Sequence, residues 1–448
     1  MLSDSQFGFR KSRSCELALN DLIDRALSNM DKRLLNGLLL VDLKKAFDLV
    51  DQQVLLFKLE SYGCSQSTVG WFSSYLSNRS QRTFFKGALS EPHSMSLGVP
   101  QGSILGPLFF LLFINDLPLY VSKGIELTMF ADDTTALVSS PSFADLNNRL
   151  VLLANEIYCW AVLNRMAINF VKTKALLLST HQKFSHLHNS NFEISVKGNV
   201  IEQVPHAKLL GVTVDSFLTW DKHVKNLCSL IRSRLSLLKR IKPFLTFNCT
   251  LKFYNSCINS SLLYCCTVWG SCSISLLNSL LRMQKQAARL ILGADFDRSS
   301  ISLFCELKWL PFSLLVKYRK LILLFSLLHK PDAPNCLKDK FNFLSSLRKS
   351  GASTRALSLN LRPPLSRTNS GKRTFTNSTS CLFNCLDSNL KTLLRFPNPS
   401  NSYSTNVLHL KMEILSMFLG FVSRPKSLEC LVCNSCHYKL CCFCTFRK

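Results

Sequence analysis

Along the first two hundred residues the spacing of apolar positions switches between three or four and two, and each switch marks a predicted element. Leu17-Ala18, Leu22-Ile23 and Ala26-Leu27 recur at helical spacing, whereas Gly37-Leu38-Leu39-Leu40-Val41-Asp42-Leu43 reads as a buried strand that ends on an acid. Residues 52–77 read as helical. Arg82-Thr83-Phe84-Phe85 followed by Met95 to Val99 predicts a short hairpin, and Ser103 to Leu117 an apolar helix. Two strand-like runs, Ile125 to Ala131 and Thr134 to Val138, flank Asp132-Asp133 and predict a β-hairpin with acids at its turn. An amphipathic helix over Asp145 to Ala167 and strands at Ala175 to Leu178 and Lys208 to Val214 complete this region. Helices and strands mixed in this way predict an α+β domain.

From about residue 220 the pattern becomes helical. Residues 222–242, 248–265, 275–292 and 312–329 carry apolar residues at helical spacing. Near residue 332 the composition shifts to Ser, Asn, Pro and basic residues, with Pro363-Pro364 and Pro397-Asn398-Pro399 as breakers.

Charge divides the chain at the same place. The net charge of +26 over 448 residues is almost entirely in the second half. Residues 1–220 hold 20 Lys and Arg against 19 Asp and Glu, and residues 221–448 hold 34 against 9. A near-neutral half joined to a strongly basic one is the distribution expected when one part does chemistry and the other holds a polyanion. The longest apolar stretch, Ile104 to Ile114, is too short to span a bilayer, and Met1-Leu2-Ser3-Asp4 leads into polar residues without an apolar signal region. Neither a membrane nor a secreted protein is expected, and most of the 19 Cys read as reduced core residues.

The acids carry the candidate chemistry. A carboxylate closing an apolar strand is costly unless a cation compensates it, and Asp42 is so placed. Asp132 and Asp133 are adjacent at a turn, where like charges repel. If the strand ending at Asp42 lies beside the hairpin, the three converge on one sheet edge, and oxygen donors of this kind suit Mg²⁺ or Mn²⁺. Four blocks then occur in order: Gln6-Phe7-Gly8-Phe9-Arg10, Val41-Asp42-Leu43-Lys44-Lys45-Ala46-Phe47-Asp48, Gly98-Val99-Pro100-Gln101-Gly102-Ser103-Ile104-Leu105-Gly106-Pro107 and Phe130-Ala131-Asp132-Asp133. This set resembles the reverse transcriptases of non-LTR retrotransposons, close to the Jockey-like elements. Asn169-Phe170-Val171-Lys172-Thr173-Lys174, Leu209-Leu210-Gly211-Val212, Val268-Trp269-Gly270 and Gln284 to Arg289 extend the resemblance to about residue 330, and Gly371-Lys372-Arg373-Thr374-Phe375 is a last isolated match.

The resemblance implies an RNA-directed DNA polymerase acting in target-primed retrotransposition, with a right-hand palm, partial fingers and a helical thumb. Asp42, Asp132 and Asp133 would hold two catalytic Mg²⁺ or Mn²⁺ ions, and Lys172 would protonate the leaving pyrophosphate. Phe47 would lie under the incoming sugar and exclude a 2′-OH, with Gln101 and Gly102 beside the nascent base pair. Arg10 would contact template or incoming phosphates. Lys225, Arg232 and Lys239 recur every seven residues on one predicted helix face, suited to the backbone of a template–primer duplex. The implied partners are an RNA template, a DNA primer or RNA–DNA hybrid, and deoxynucleoside triphosphates, in the nucleus or cytoplasm.

The expected organisation is partial fingers at 1–35, palm at 36–220, helical thumb at 221–330 and a basic C-terminal region at 331–448. Residues 1–6 match an internal stretch of the family, so the chain reads as N-terminally truncated. An inactive remnant acting as a basic nucleic-acid-binding protein is the alternative. The terminal run Cys430-x-x-Cys433-x-x-Cys436-His437 holds enough thiolates for a structural Zn²⁺, but its spacing departs from ordinary paired zinc ligands.

Overall fold

A computed structural model describes residues 2–187, 191–344, 359–397 and 403–423. The chain forms two compact units, the first comprising Met1–Ala18 and Lys32–Leu210, the second Leu19–Asp31 and Gly211–Lys448. The architecture is α+β, with the large sheet in the first unit.

α1 (Cys15–Asp31) leads to β1 (Leu35–Val41), which is buried along almost its whole length, as its unbroken apolar run requires. The region expected to be helical over 52–77 forms two helices, α2 (Gln52–Ser61) and α3 (Gln66–Leu76), because Gly63 takes a left-handed φ of 88° between them. Next comes a ribbon built differently from the hairpin expected there. β2 (Arg79–Gln81) pairs with β5 (His93–Met95), and inside that pair β3 (Phe84–Phe85) pairs with β4 (Ala88–Leu89). Lys86 and Gly87, both with positive φ, form the tight turn that closes the inner pair, so Phe84 and Phe85 find their partners nearby rather than at residues 95–99.

α4 (Leu105–Ile114) is followed by β6 (Glu126–Phe130) and β7 (Asp133–Ser140), the expected antiparallel hairpin, with Ala131 and Asp132 as its loop. Then come α5 (Phe143–Leu163), β8 (Lys174–Leu178), α6 (His181–Ser185), β9 (Ile194–Val196) and β10 (Asn199–Gln203). The sheet order is β6-β7-β1-β8-β10-β9, antiparallel except where β10 joins β8. β1 is central: Leu38 stands opposite Leu137 on one side and Leu176 on the other. Leu35, Leu39 and Val41 join one core with Leu146, Leu150, Leu153 and Ile157 of α5 and Phe109, Phe110 and Phe113 of α4. Within that core Lys58 is held by the Phe113 carbonyl at 2.6 Å and Asp116 Oδ1 at 2.7 Å, which also accepts from Trp160 Nε1 at 3.0 Å. Burial draws the Lys58 ammonium below its ordinary pKa, and the Asp116 charge opposes that shift.

β11 (His206–Leu209) ends the first unit and β12 (Val212–Asp215) begins the second. The single strand expected over 208–214 is broken because Leu210 and Gly211 both take left-handed φ, 44° and 83°. In the second unit α7 (Asp221–Ile241) buries Val224, Leu227, Cys228, Ile231, Leu235 and Leu238 at three- and four-residue spacing. Helices Ile274–Leu292, Phe312–His329 and Phe375–Asn384 follow. The helical region 248–265 contains a π segment, Tyr254–Asn259, where the buried Tyr254 ring stacks on Trp309 at 3.9 Å.

Residues 19–31 of α1 belong to this second unit and present buried aspartates to the C-terminal region. Lys340 bonds to Asp21 at 3.0 Å, the Thr376 amide to Asp24 at 3.2 Å, and the Arg367 and Thr368 amides to Asp31 at 3.0 and 2.6 Å. The Gly371 to Phe375 block takes part: Arg373 bonds to the Leu218 carbonyl, and Thr374 caps the helix that Phe375 begins.

His223 is held in its neutral form. Its Nδ1 accepts from the Thr213 amide at 3.3 Å, its ring lies 5.1 Å from that of Trp269, and burial pushes its pKa down to about 4. A histidine with a folded pKa below its unfolded value of about 6.5 gives stability that is complete above 6.5 and falls away as pH drops toward 4. The second unit is therefore expected to lose up to about 3 kcal/mol across that window. His223→Gln, which keeps an acceptor for Thr213, should flatten the change in denaturation midpoint between pH 6.5 and 4.

Candidate active site

β1 ends at Val41, and its continuation carries Asp42 alongside the segment at residues 167–169. The Lys44 amide donates to Ala167 O at 2.8 Å, the Asn169 amide to Asp42 O at 2.8 Å, and the Asp42 amide to Thr173 Oγ1 at 3.2 Å. Because β7 pairs with β1 so that Val41 faces Thr134, Asp133 lies one step beyond that pair, beside Asp42. The register thus brings an acid from a strand end and acids from a hairpin turn to one edge of the sheet. A cleft of about 330 Å³ there is lined by Asp42, Asp133, Lys172, Lys174, His206 and Lys208 among others.

The electrostatics agree with that placement. Partial loss of water around the Asp133 carboxyl, then the charges of Asp132 and Asp42, push its pKa up. A carboxyl whose charge is disfavoured in this way by two neighbouring acids is relieved by a cation. Among the described residues no three His, Cys, Asp or Glu side chains close around a point as a finished metal cage. An all-oxygen, open donor set nevertheless fits Mg²⁺, which keeps several waters and takes one or two carboxylates together with substrate phosphates.

Phe47 and the Gln101 loop are linked by backbone. Val99 N donates to Phe47 O at 3.0 Å and Gly98 N to Val50 O at 2.7 Å; Gly98 has φ 85° and no room for a Cβ beside Asp48. The half-buried Phe47 ring stacks on Phe110 with centroids 4.3 Å apart. Gln101 is exposed and donates Nε2 to Asp48 Oδ1 at 2.6 Å, and Gly102 is exposed with φ 81°. Gln101 lines a second, open groove of about 950 Å³ with Lys45, Asp48, Arg79 and Arg82. Asp42 and Asp133 do not line that groove, so the acids and Gln101 occupy separate depressions of the first unit.

Lys172 is exposed in the acidic cleft, on the turn that follows Asn169. Arg10 is partly committed to its own loop: one guanidinium nitrogen donates to Ser3 O at 2.6 Å and Gln6 O at 3.3 Å. In the second unit Lys225, Arg232 and Lys239 are all exposed on α7, in a row along one edge of its buried stripe, and Lys225 pairs with Asp221. Cys430, Cys433, Cys436 and His437 lie outside the described residues. Lys174, His206 and Lys208 were not legible as site residues; they reach the cleft through the pairing of β8 beside β1 and the approach of β11 to β8.

Comparison with known proteins bears on this geometry. Residues 1–214 match the family described as Reverse transcriptase (RNA-dependent DNA polymerase). These residues belong to the reverse transcriptase family. The acid-bearing sheet lies wholly within the matched segment. The chain is 28% identical over 300 residues to the "RNA-directed DNA polymerase from mobile element jockey" of Drosophila melanogaster, covering 65% of this chain and 32% of that one. It is 28% identical over 313 residues to the "Probable RNA-directed DNA polymerase from transposon X-element" of the same fly, covering 68% and 34%. The chain thus spans about a third of the length of these relatives. A solved telomerase from Candida albicans aligns with 72% of this chain and 48% of that one at 13% identity, with a TM-score of 0.30. Reverse transcriptases generally use divalent metal ions. Among the described residues no helix is long and apolar enough to cross a membrane.

Proposed function

We propose that this chain is the RNA-directed DNA polymerase portion of a non-LTR retrotransposon protein, extending a DNA primer on an RNA template by two-metal nucleotidyl transfer. The observation that carries the reading is the convergence of Asp42 and Asp133 on one cleft, with Asp132 in the adjoining turn, inside a segment that matches the reverse transcriptase family. Asp42, Asp132 and Asp133 would hold Mg²⁺ or Mn²⁺, which when bound supplies charge neutralisation to the triphosphate and lowers the pKa of the primer hydroxyl. The remaining work falls to the chain's own side chains. Lys172, exposed in the same cleft, donates a proton to the departing pyrophosphate. Gln101 and Gly102 seat the nascent base pair, glycine permitting close backbone approach. Arg10 neutralises template or triphosphate charge with whatever part of its guanidinium its own loop leaves unused. Lys225, Arg232 and Lys239 follow the phosphate backbone of the hybrid without reading its sequence.

Two experiments test the reading. Changing the RNA base opposite the insertion position should change which deoxynucleotide is added; addition independent of the template base would reject an RNA-directed polymerase. On this reading the incoming sugar lies against Phe47, which its stack on Phe110 holds in place, and a 2′-OH would collide with the ring. Phe47→Ala should raise ribonucleotide incorporation relative to deoxynucleotide by roughly 10–100-fold, about 1.4–2.7 kcal/mol of discrimination. An unchanged ratio would leave Phe47 as core packing only.

A further inference from the structure

The Gln6-Phe7-Gly8-Phe9-Arg10 block has no chemical role in the scheme above except at Arg10, yet its side chains are spent in an unusual way. Residues 5–7 run beside β6: the Met129 amide donates to Ser5 O at 2.8 Å and the Phe7 amide to Met129 O at 2.7 Å. The chain is thereby an additional edge on the strand that leads into the acidic turn. Gln6 is almost completely buried, at 1% exposure. Its Oε1 accepts two amides, Gly8 N at 2.8 Å and Ala131 N at 2.9 Å. The second belongs to the turn residue immediately before Asp132.

Ala131 adopts φ 55°, a left-handed conformation that an L side chain enters at a cost of roughly 1–2 kcal/mol. Something must hold it there, and the Gln6 oxygen is the side-chain group bonded to its amide. Gly8 completes the seat, since a Cβ at that position would run into the backbone nitrogen of Ala131. Behind Gln6, Arg10 bonds to the Gln6 and Ser3 carbonyls, and Arg13 pairs with Asp4 and lies 5.0 Å from the Phe7 ring centroid. Two arginines thus fasten the loop that fastens the turn.

We propose that Gln6 is a positioning residue for the metal-binding carboxylates: its side-chain oxygen fixes the Ala131–Asp132 turn, with Gly8 allowing the approach, so that Asp132 and Asp133 face Asp42. This rests on the reading of those acids as metal ligands. Only the oxygen of the Gln6 amide is used, because Nε2 has no hydrogen-bond partner among the described residues. The decisive comparison is therefore between variants that keep and lose the acceptor at nearly constant volume.

Mn²⁺ binding to the full chain, followed by electron paramagnetic resonance, reads the effect without requiring turnover. Removing a group that orients metal ligands typically costs about 10–100-fold in metal affinity. Gln6→Met should weaken Mn²⁺ by at least about 10-fold, while affinity for an RNA–DNA duplex stays within about twofold. Gln6→Glu, which retains the acceptor, should hold Mn²⁺ affinity within about threefold of the unchanged chain. Gln6→Asn, whose oxygen is withdrawn by one methylene, should behave like Met and keeps the test standing if the Met variant does not fold. Unchanged Mn²⁺ affinity in Met or Asn, or equal losses in Met and Glu, would overturn the assignment. Asp42→Asn separates this from the parent reading: if it too leaves Mn²⁺ affinity unchanged, the acids are not the metal site, and the failure lies there rather than with Gln6.

Discussion

Asp42→Asn and Asp132→Asn are each expected to reduce RNA-templated primer extension by roughly three orders of magnitude, the upper end of what loss of one preorganised electrostatic contact costs. Hybrid-duplex affinity should stay within about twofold, because backbone contacts do not pass through these acids. The asymmetry follows from the fold. Asp42 extends the central strand of the sheet, and Asp132 is a loop residue of the β6–β7 hairpin, so neither side chain helps to pack the apolar core. Asparagine preserves shape and removes charge; in Asp133, whose carboxyl already suffers from its neighbours, it should relieve repulsion in the metal-free protein. Primer extension and filter binding on the same preparations check both halves of this expectation. Extension at the original rate by either variant would remove that acid from the site.

The second large effect is expected on the basic face of α7. Replacing Lys225, Arg232 and Lys239 together with Gln should flatten the dependence of log affinity on log salt by roughly two to three units, at about 0.9 per phosphate neutralised. The loss should fall equally on all sequences, since phosphate contacts carry no base information. The lower figure is favoured by the pairing of Lys225 with Asp221, which already satisfies part of its charge. A suitable control is Lys44, Lys123 and Lys197 of the first unit, all exposed. Lys58 is unsuitable, because its ammonium is buried against Asp116 and its removal would disturb the core. Equal slope losses in the two triple variants would show that α7 is not a dedicated grip.

The parts of this structure that were legible in the sequence are those in which side-chain pattern and backbone agree. β1 announces itself because a strand buried on both sides must be continuously apolar, and the β6–β7 hairpin because two strand-like runs flank polar turn residues. α7 was legible from its buried stripe, with Lys225, Arg232 and Lys239 exposed in a row along one edge of it. What was not legible depends on backbone geometry or on partners far away in the chain. The breaks at Gly63 and at Leu210-Gly211 rest on positive φ values, and in the second case the first residue is a leucine, which carries no turn signal of its own. The nested ribbon at residues 79–95 was misread because periodicity identifies strand-like stretches but not which of them pair.

The same limit hid the role of residues 19–31. Their apolar spacing predicts a helix, yet nothing local says that Asp21, Asp24 and Asp31 are buried against Lys340, Arg367, Thr368 and Thr376. The polar composition after residue 332 likewise gives no sign that Arg367 and Thr368 supply amides to Asp31 and Thr376 an amide to Asp24. At the candidate site, the expected approach of Asp42 to the Asp132–Asp133 turn was legible from the strand pattern, whereas Lys174, His206 and Lys208 were not, since they enter the cleft only through strand order.

If the clustered carboxylates run metal-dependent nucleotide transfer, single-nucleotide addition must follow a titration of Mg²⁺. The unchanged chain, a DNA primer annealed to RNA and the one matching deoxynucleotide are mixed in EDTA, and Mg²⁺ is then raised while duplex binding is followed in the same samples. No addition is expected in EDTA, saturable addition as Mg²⁺ rises, and duplex binding throughout. Addition that persists in EDTA, or a duplex that is bound but never extended at any concentration of Mg²⁺ or Mn²⁺, would contradict that role of the carboxylates.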